Sequence, residues 1–145
     1  MKENKGITLI ALVITIIVLL ILAGVAIAML SGDNGILTQA SKSADYNAIG
    51  TAKDEIALMV NEYVSSYYEY YYAGGSYAGG DTTIFTGTDT TANIAIAVED
   101  ALGDYTSSDV TYDYTSPTIT LTSGDYSCTG TVDTSDGGIT WTDIS

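Results

Sequence analysis

Twenty-four residues, Ile7 to Leu30 (ITLIALVITIIVLLILAGVAIAML), form an apolar run relieved only by Thr8, Thr15 and Gly24. No other feature constrains this chain so strongly. As a helix rising 1.5 Å per residue the run spans about 36 Å, against about 30 Å of bilayer hydrocarbon. Only a helix hides every backbone amide of such a run in lipid. The β-branched stretch Val13, Ile14, Thr15, Ile16, Ile17 and Val18 has mediocre helix propensity in water, and burial overrides it. The residues beyond the run are acidic and rich in Thr, Tyr and Gly. One apolar helix joined to a polar head is the layout of a protein anchored in a membrane, or assembled from one.

Lys2 and Lys5 precede the run, whereas Asp33 follows it and the next basic residue is Lys42. The positive-inside bias therefore places the N-terminus in the cytoplasm and the head outside. Three fates fit the segment. It stays as a plain anchor, it is discarded as a secretory signal at the small-x-small pattern Ala26-Ile27-Ala28, or it is trimmed at Gly6 and kept. The run is longer than the roughly 7–15 apolar residues of a secretory signal, which weighs against the second.

The junction Lys5-Gly6-Ile7-Thr8-Leu9-Ile10 resembles the processing site of type IV prepilins. That family has a short charged leader ending in Gly, then an apolar residue, then a long apolar helix. The likeness extends over about the first 40 residues, including Ser31-Gly32-Asp33-Asn34-Gly35-Ile36-Leu37, a stretch similar to pilin-like proteins of Gram-positive anaerobes. The resemblance implies cleavage between Gly6 and Ile7 by a membrane-embedded prepilin peptidase and N-methylation of Ile7. It further implies transfer of the helix from the bilayer into the core of a homo-oligomeric filament, through Thr8, Leu9, Ile10, Ala11, Ile14 and Ile17. The partners it implies are the peptidase, the pilus assembly machinery with its cytoplasmic ATPase, and the membrane before assembly. The precursor would sit in the cytoplasmic membrane and the product in an extracellular fimbrium. Such filaments serve motility, adhesion, DNA uptake or secretion.

This chain departs from the family pattern at Ala11, where pilins carry a Glu at the fifth mature position. That carboxylate is held to pair with the N-terminal amine of a neighbouring subunit. A charge buried without a partner costs several kcal/mol, so its loss removes both a cost and an alignment device. On this resemblance the Thr8 hydroxyl would offer the amine a substitute contact. Leu20 and Ala28 stand where many pilins have helix-loosening Pro or Gly, and the nearest breaker is Gly32-Asp33-Asn34-Gly35.

At 145 residues the chain has room for one modest domain after the helix. Removing residues 1–6 leaves two Lys against seventeen acids, a net charge of −15, with no Arg or His anywhere. A nucleic-acid surface needs Lys and Arg to displace counterions from phosphates, so direct nucleic-acid binding is not expected. Cys128 is the single cysteine, which excludes an intrachain disulfide.

The expected fold is α+β: a long N-terminal helical spine with a small C-terminal antiparallel sheet. Apolar residues at Leu37, Ala40, Ala44, Ala48, Ile49, Ala52, Ile56, Met59, Val60, Tyr63, Val64 and Tyr67 recur at steps of three and four, predicting an amphipathic helix to Tyr72. Gly74-Gly75 and Gly79-Gly80 predict its end, and Ala92–Leu102 a short second helix before Gly103. From Asp109 the period changes to two. Val110/Tyr112/Tyr114, Ile119/Leu121, Tyr126/Cys128/Val132 and Ile139/Trp141 alternate with polar residues between turn signals, predicting a four-stranded meander whose apolar face covers the helix and buries Trp141. The expected divisions are a leader at 1–6, a membrane or filament-core helix at 7–30, its amphipathic continuation at 31–72, a Tyr/Gly-rich loop with a short helix at 73–108, and the meander at 109–145.

Few residues suggest chemistry. Without His there is no Ser-His-Asp triad and no histidine zinc site, and one Cys is too few for a thiolate zinc site. The expectation is no catalytic residue, no metal, no cofactor and no enzyme. Cys128 reads as a small buried hydrophobe, and Asp133-Thr134-Ser135-Asp136-Gly137-Gly138 as a polar turn rather than a calcium loop. In the tyrosine cluster Tyr63, Tyr67 and Tyr70 read as packing residues, and Tyr68, Tyr71, Tyr72 and Tyr77 as candidates for surface contact.

The reading is a structural subunit of a type IV pilus-like filament. Its rivals are a minor pilin or secretion pseudopilin, and an uncleaved single-pass surface protein whose head binds a ligand.

Overall fold

The computed structural model describes residues 4–74 and 90–145. They divide into two units, 1–43 and 44–145. In the first, helix α1 runs Asn4–Ser31. It ends where Gly32 N–H bonds Ala28 O at 3.1 Å and Gly35 N–H bonds Gly32 O at 2.6 Å. The Thr38 hydroxyl also donates to Gly32 O at 3.0 Å, so three groups converge on the turn and close it. Helix α2 then runs Ile36–Tyr72, starting one residue before the expected position. The helical pattern is thus interrupted at the Gly32–Gly35 breaker.

The second unit owes its core to α2's apolar stripe. Ile49, Ala52, Ile56, Val60, Val64 and Tyr67 are buried and successive at three or four residues, the spacing that puts them on one face. Leu37 and Ala40, earlier on the same stripe, are exposed. Helix α3, Thr90–Asp104, adds Ile94, Ala97, Val98, Ala101 and Leu102. It is longer at both ends than Ala92–Leu102, and Gly103 lies inside its last turn.

Four strands follow: β1 Thr111–Thr115, β2 Thr118–Ser123, β3 Tyr126–Val132 and β4 Ile139–Trp141, ordered β1-β2-β3-β4 and antiparallel throughout. The α+β fold is therefore as the periodicities predict. Ile119, Leu121, Cys128 and Val132 face the core together with the α2 and α3 side chains. The β2–β3 hairpin turns at Gly124 with φ 54°, a value that favours Gly, and its backbone lies against the Asp45 carboxylate.

Several strand residues are covered less deeply than a buried apolar face predicts, Tyr114, Tyr126 and Ile139 being half-buried. Trp141 is half-buried, since its ring lies over Gly130 near the sheet edge. Tyr112 is exposed, because β1 has a neighbouring strand on one side only, and its ring rests edge-on against Tyr105, centroids 5.9 Å apart.

Candidate functional site

Helix α1 is long and apolar enough to cross a membrane. Ile7, Leu9, Ile10, Ile14 and Ile17 are exposed, as are Gly6, Thr8 and Ala11. At 100° per residue, Ile7, Ile10, Ala11, Ile14 and Ile17 share one stripe, and Leu9, Leu12, Val13, Ile16 and Leu20 another. Both stripes are apolar, so the helix has no polar side to turn toward water. A helix apolar all round requires lipid or other apolar surface on every side. Two of its hydroxyls are satisfied within the helix: Thr15 donates to Leu12 O at 2.7 Å, and Ser31 to Ile27 O at 2.8 Å.

The Gly6–Ile7 bond lies within the first turn of α1, which begins at Asn4. First-turn N–H groups lack intrahelical acceptors, so this turn opens at lower cost than the middle of the helix. A Cβ on Gly6 would meet no atom within 4 Å. Packing within the chain therefore gives no reason for a glycine at this position.

At the other end of α2 the tyrosines form a connected array. Tyr67–Tyr68, Tyr68–Tyr72, Tyr72–Tyr71 and Tyr71–Tyr67 have ring centroids 5.4, 6.3, 5.5 and 6.1 Å apart. Two of these contacts join residues four apart, neighbours on a helix surface. The array runs from core to solvent: Tyr67 is 2% exposed, Tyr71 59% and Tyr72 81%. Tyr68 is half-buried and its hydroxyl donates to Ser135 O at 3.1 Å. Tyr63 and Tyr70 are half-buried against the core, in keeping with a packing role, and Tyr77 lies outside the described residues. The sequence carries no signal for the Tyr68–Ser135 bond, which joins residues 67 apart.

The Asp133–Gly138 turn uses its carboxylates on its own backbone. Asp133 Oδ1 accepts from Ser135 N–H at 2.8 Å and from the Ser135 hydroxyl at 2.6 Å, and Asp136 Oδ1 accepts from Gly138 N–H at 2.8 Å. The Ser135 donors hold the Asp133 carboxyl below the usual carboxylate range. Cys128 is buried, and burial pushes its thiol up, away from the reactive thiolate. Lys53 lies 5.8 Å from the Trp141 ring centroid and 3.5 Å from Thr142 O.

Tyr63 donates a hydrogen bond to the Asp104 carboxylate. That bond, then burial, then the negative charges of Asp104, Asp100 and Glu62, raise its pKa to about 12. No protein-family model, no curated protein and no solved structure matches this chain.

Proposed function

We propose that this chain is the precursor of a type IV pilin-like subunit, cut between Gly6 and Ile7 and assembled through α1 into a surface filament. The observation that carries the reading is an all-round apolar run of helix, residues 7–30, directly after Lys5-Gly6. Such a helix is stable in lipid before assembly and among its copies afterwards. Van der Waals packing and burial of the Ile, Leu and Val surface replace lipid contact. The head has its own core from α2, α3 and the sheet, which suits a domain that stays folded during the transfer. Its acidic side chains would give the filament an anionic wall.

The second reading is an uncleaved single-pass surface protein, favoured by Ala11 where pilins place Glu. Mass spectrometry of the native N-terminus, on sheared surface material and on membranes, separates the two. A chain beginning at methylated Ile7 in the sheared fraction supports the filament subunit. An intact chain from Met1, confined to membranes, overturns it, as does a chain beginning at Met29. Abundance in the sheared material separates a major subunit from a minor one.

A further inference from the structure

The exposed end of the tyrosine array is a fixed aromatic surface in an anionic setting. Tyr71 and Tyr72 are braced by Tyr67 and Tyr68, and Tyr68 is tied to the β3–β4 turn through Ser135. The same turn abuts α2 one helical turn earlier, where a Cβ on Gly137 would collide with the Val64 side chain. Ring positions are therefore set by the core, and little ordering entropy is lost when a partner arrives.

Charge identifies the partner. Glu69 is exposed on α2 between Tyr68 and Tyr70, and Asp133 and Asp136 are exposed on the turn that receives the Tyr68 hydroxyl. Residues 44–145 carry sixteen carboxylates and a single Lys, and that Lys53 is placed over Trp141. No cation of the head is left to cover the tyrosine faces. Ring faces attract ammonium and guanidinium groups, and carboxylates at the rim strengthen that attraction and repel anionic partners.

We infer that Tyr71 and Tyr72, with Glu69 on the same end of α2 and Asp133 and Asp136 on the turn that receives the Tyr68 hydroxyl, form a docking surface for a Lys/Arg-rich segment of a partner protein. The cationic side chains lie on the ring faces and their charge is matched by the rim carboxylates. The inference does not depend on filament assembly and is tested on the unassembled chain.

The test is fluorescence anisotropy with a labelled, capped octa-arginine peptide and the full-length chain in an uncharged detergent. The Tyr71→Leu/Tyr72→Leu double variant keeps apolar bulk and removes the ring faces, Glu69→Gln removes one rim charge, and Asp113→Asn removes one charge from β1, on the opposite edge of the sheet. Saturable binding is expected, weakened about tenfold by the double variant, about threefold by Glu69→Gln, and little by Asp113→Asn. Circular dichroism unchanged from the parent shows that the variants are folded. Absence of binding overturns the inference. So does equal loss from Glu69→Gln and Asp113→Asn with none from the double variant, which marks diffuse attraction to an acidic chain. Preference for a neutral oligosaccharide or an uncharged apolar peptide also overturns it.

Discussion

The Trp141 ring on β4 lies over Gly130 on β3, its partner in the strand register, so closely that a Cβ on Gly130 would sit 2.6 Å from Trp141 Cζ3 and 2.7 Å from Cε3. The missing side chain is what lets the indole approach the sheet this closely, and Lys53 Nζ lies 5.8 Å from the ring centroid. This pair closes the sheet edge beside the turn that supports the tyrosine array.

Gly130→Ala is expected to destabilise the head by about 1–3 kcal/mol, because the new methyl must displace the Trp141 ring and would also meet Ile139 Cγ2 at 3.0 Å. Urea unfolding of the full chain in detergent, followed by circular dichroism so that the readout does not depend on Trp141, measures the change. In a Trp141→Leu background the same substitution should cost less than 1 kcal/mol, roughly, since the ring is gone. Equal costs in both backgrounds would show that Trp141 is not what excludes the methyl.

Ile119 is fully buried between α2, α3 and the sheet. Ile119→Ala should cost about 2–5 kcal/mol, the usual range for emptying such a site. Leu58, 71% exposed on the opposite side of α2, serves as the control: Leu58→Ala should change stability by about 0.5 kcal/mol or less.

Raising the pH should loosen the end of α2. The folded state favours neutral Tyr63, raising its pKa from 10.0 to about 12 through the Asp104 bond. The raised value means that this contribution is complete below pH 10 and is lost as pH climbs from 10 to about 12. Ultraviolet titration should show a late-ionising component that shrinks in Tyr63→Phe and moves to lower pH in Asp104→Asn. A titration curve identical in all three proteins would count against the bond.

A carboxylate on α1 should act differently at two positions if the filament reading is right. Ile14→Asp puts an unpaired charge in the apolar stripe, at about 2.5–3.5 kcal/mol in the middle of a membrane helix, and should abolish filaments. Ala11→Glu places the acid where a neighbour's terminal amine can neutralise it, and should leave assembly intact. Electron microscopy of sheared material checks both. Filaments from the Ile14 variant, or their loss in both, would sink the packing model.

The signals that the sequence carries for this fold are local ones. An unbroken apolar run from Ile7 to Leu30 dictates helix, the Gly32–Gly35 cluster interrupts it, and period-two alternation after Asp109 dictates strands. Each depends on which residues are near one another in the chain. For the same reason the apolar exterior of α1, the basis of the candidate assembly surface, was legible without coordinates.

Depth and pairing were not legible, because they are set by elements distant in sequence. Tyr112 and Leu121 are register partners on the same sheet face, yet Leu121 is fully buried and Tyr112 is exposed. The difference arises because β2 is flanked by two strands and β1 by one. Tyr67 and Tyr72 belong to one run of tyrosines that helical spacing alone divides into packing and surface candidates, whereas the tie from Tyr68 to Ser135 exists only because the β3–β4 turn packs against α2. Periodicity tells which side chains share a face. How deeply that face is covered depends on what the rest of the chain lays against it, and that is a property of the tertiary structure alone.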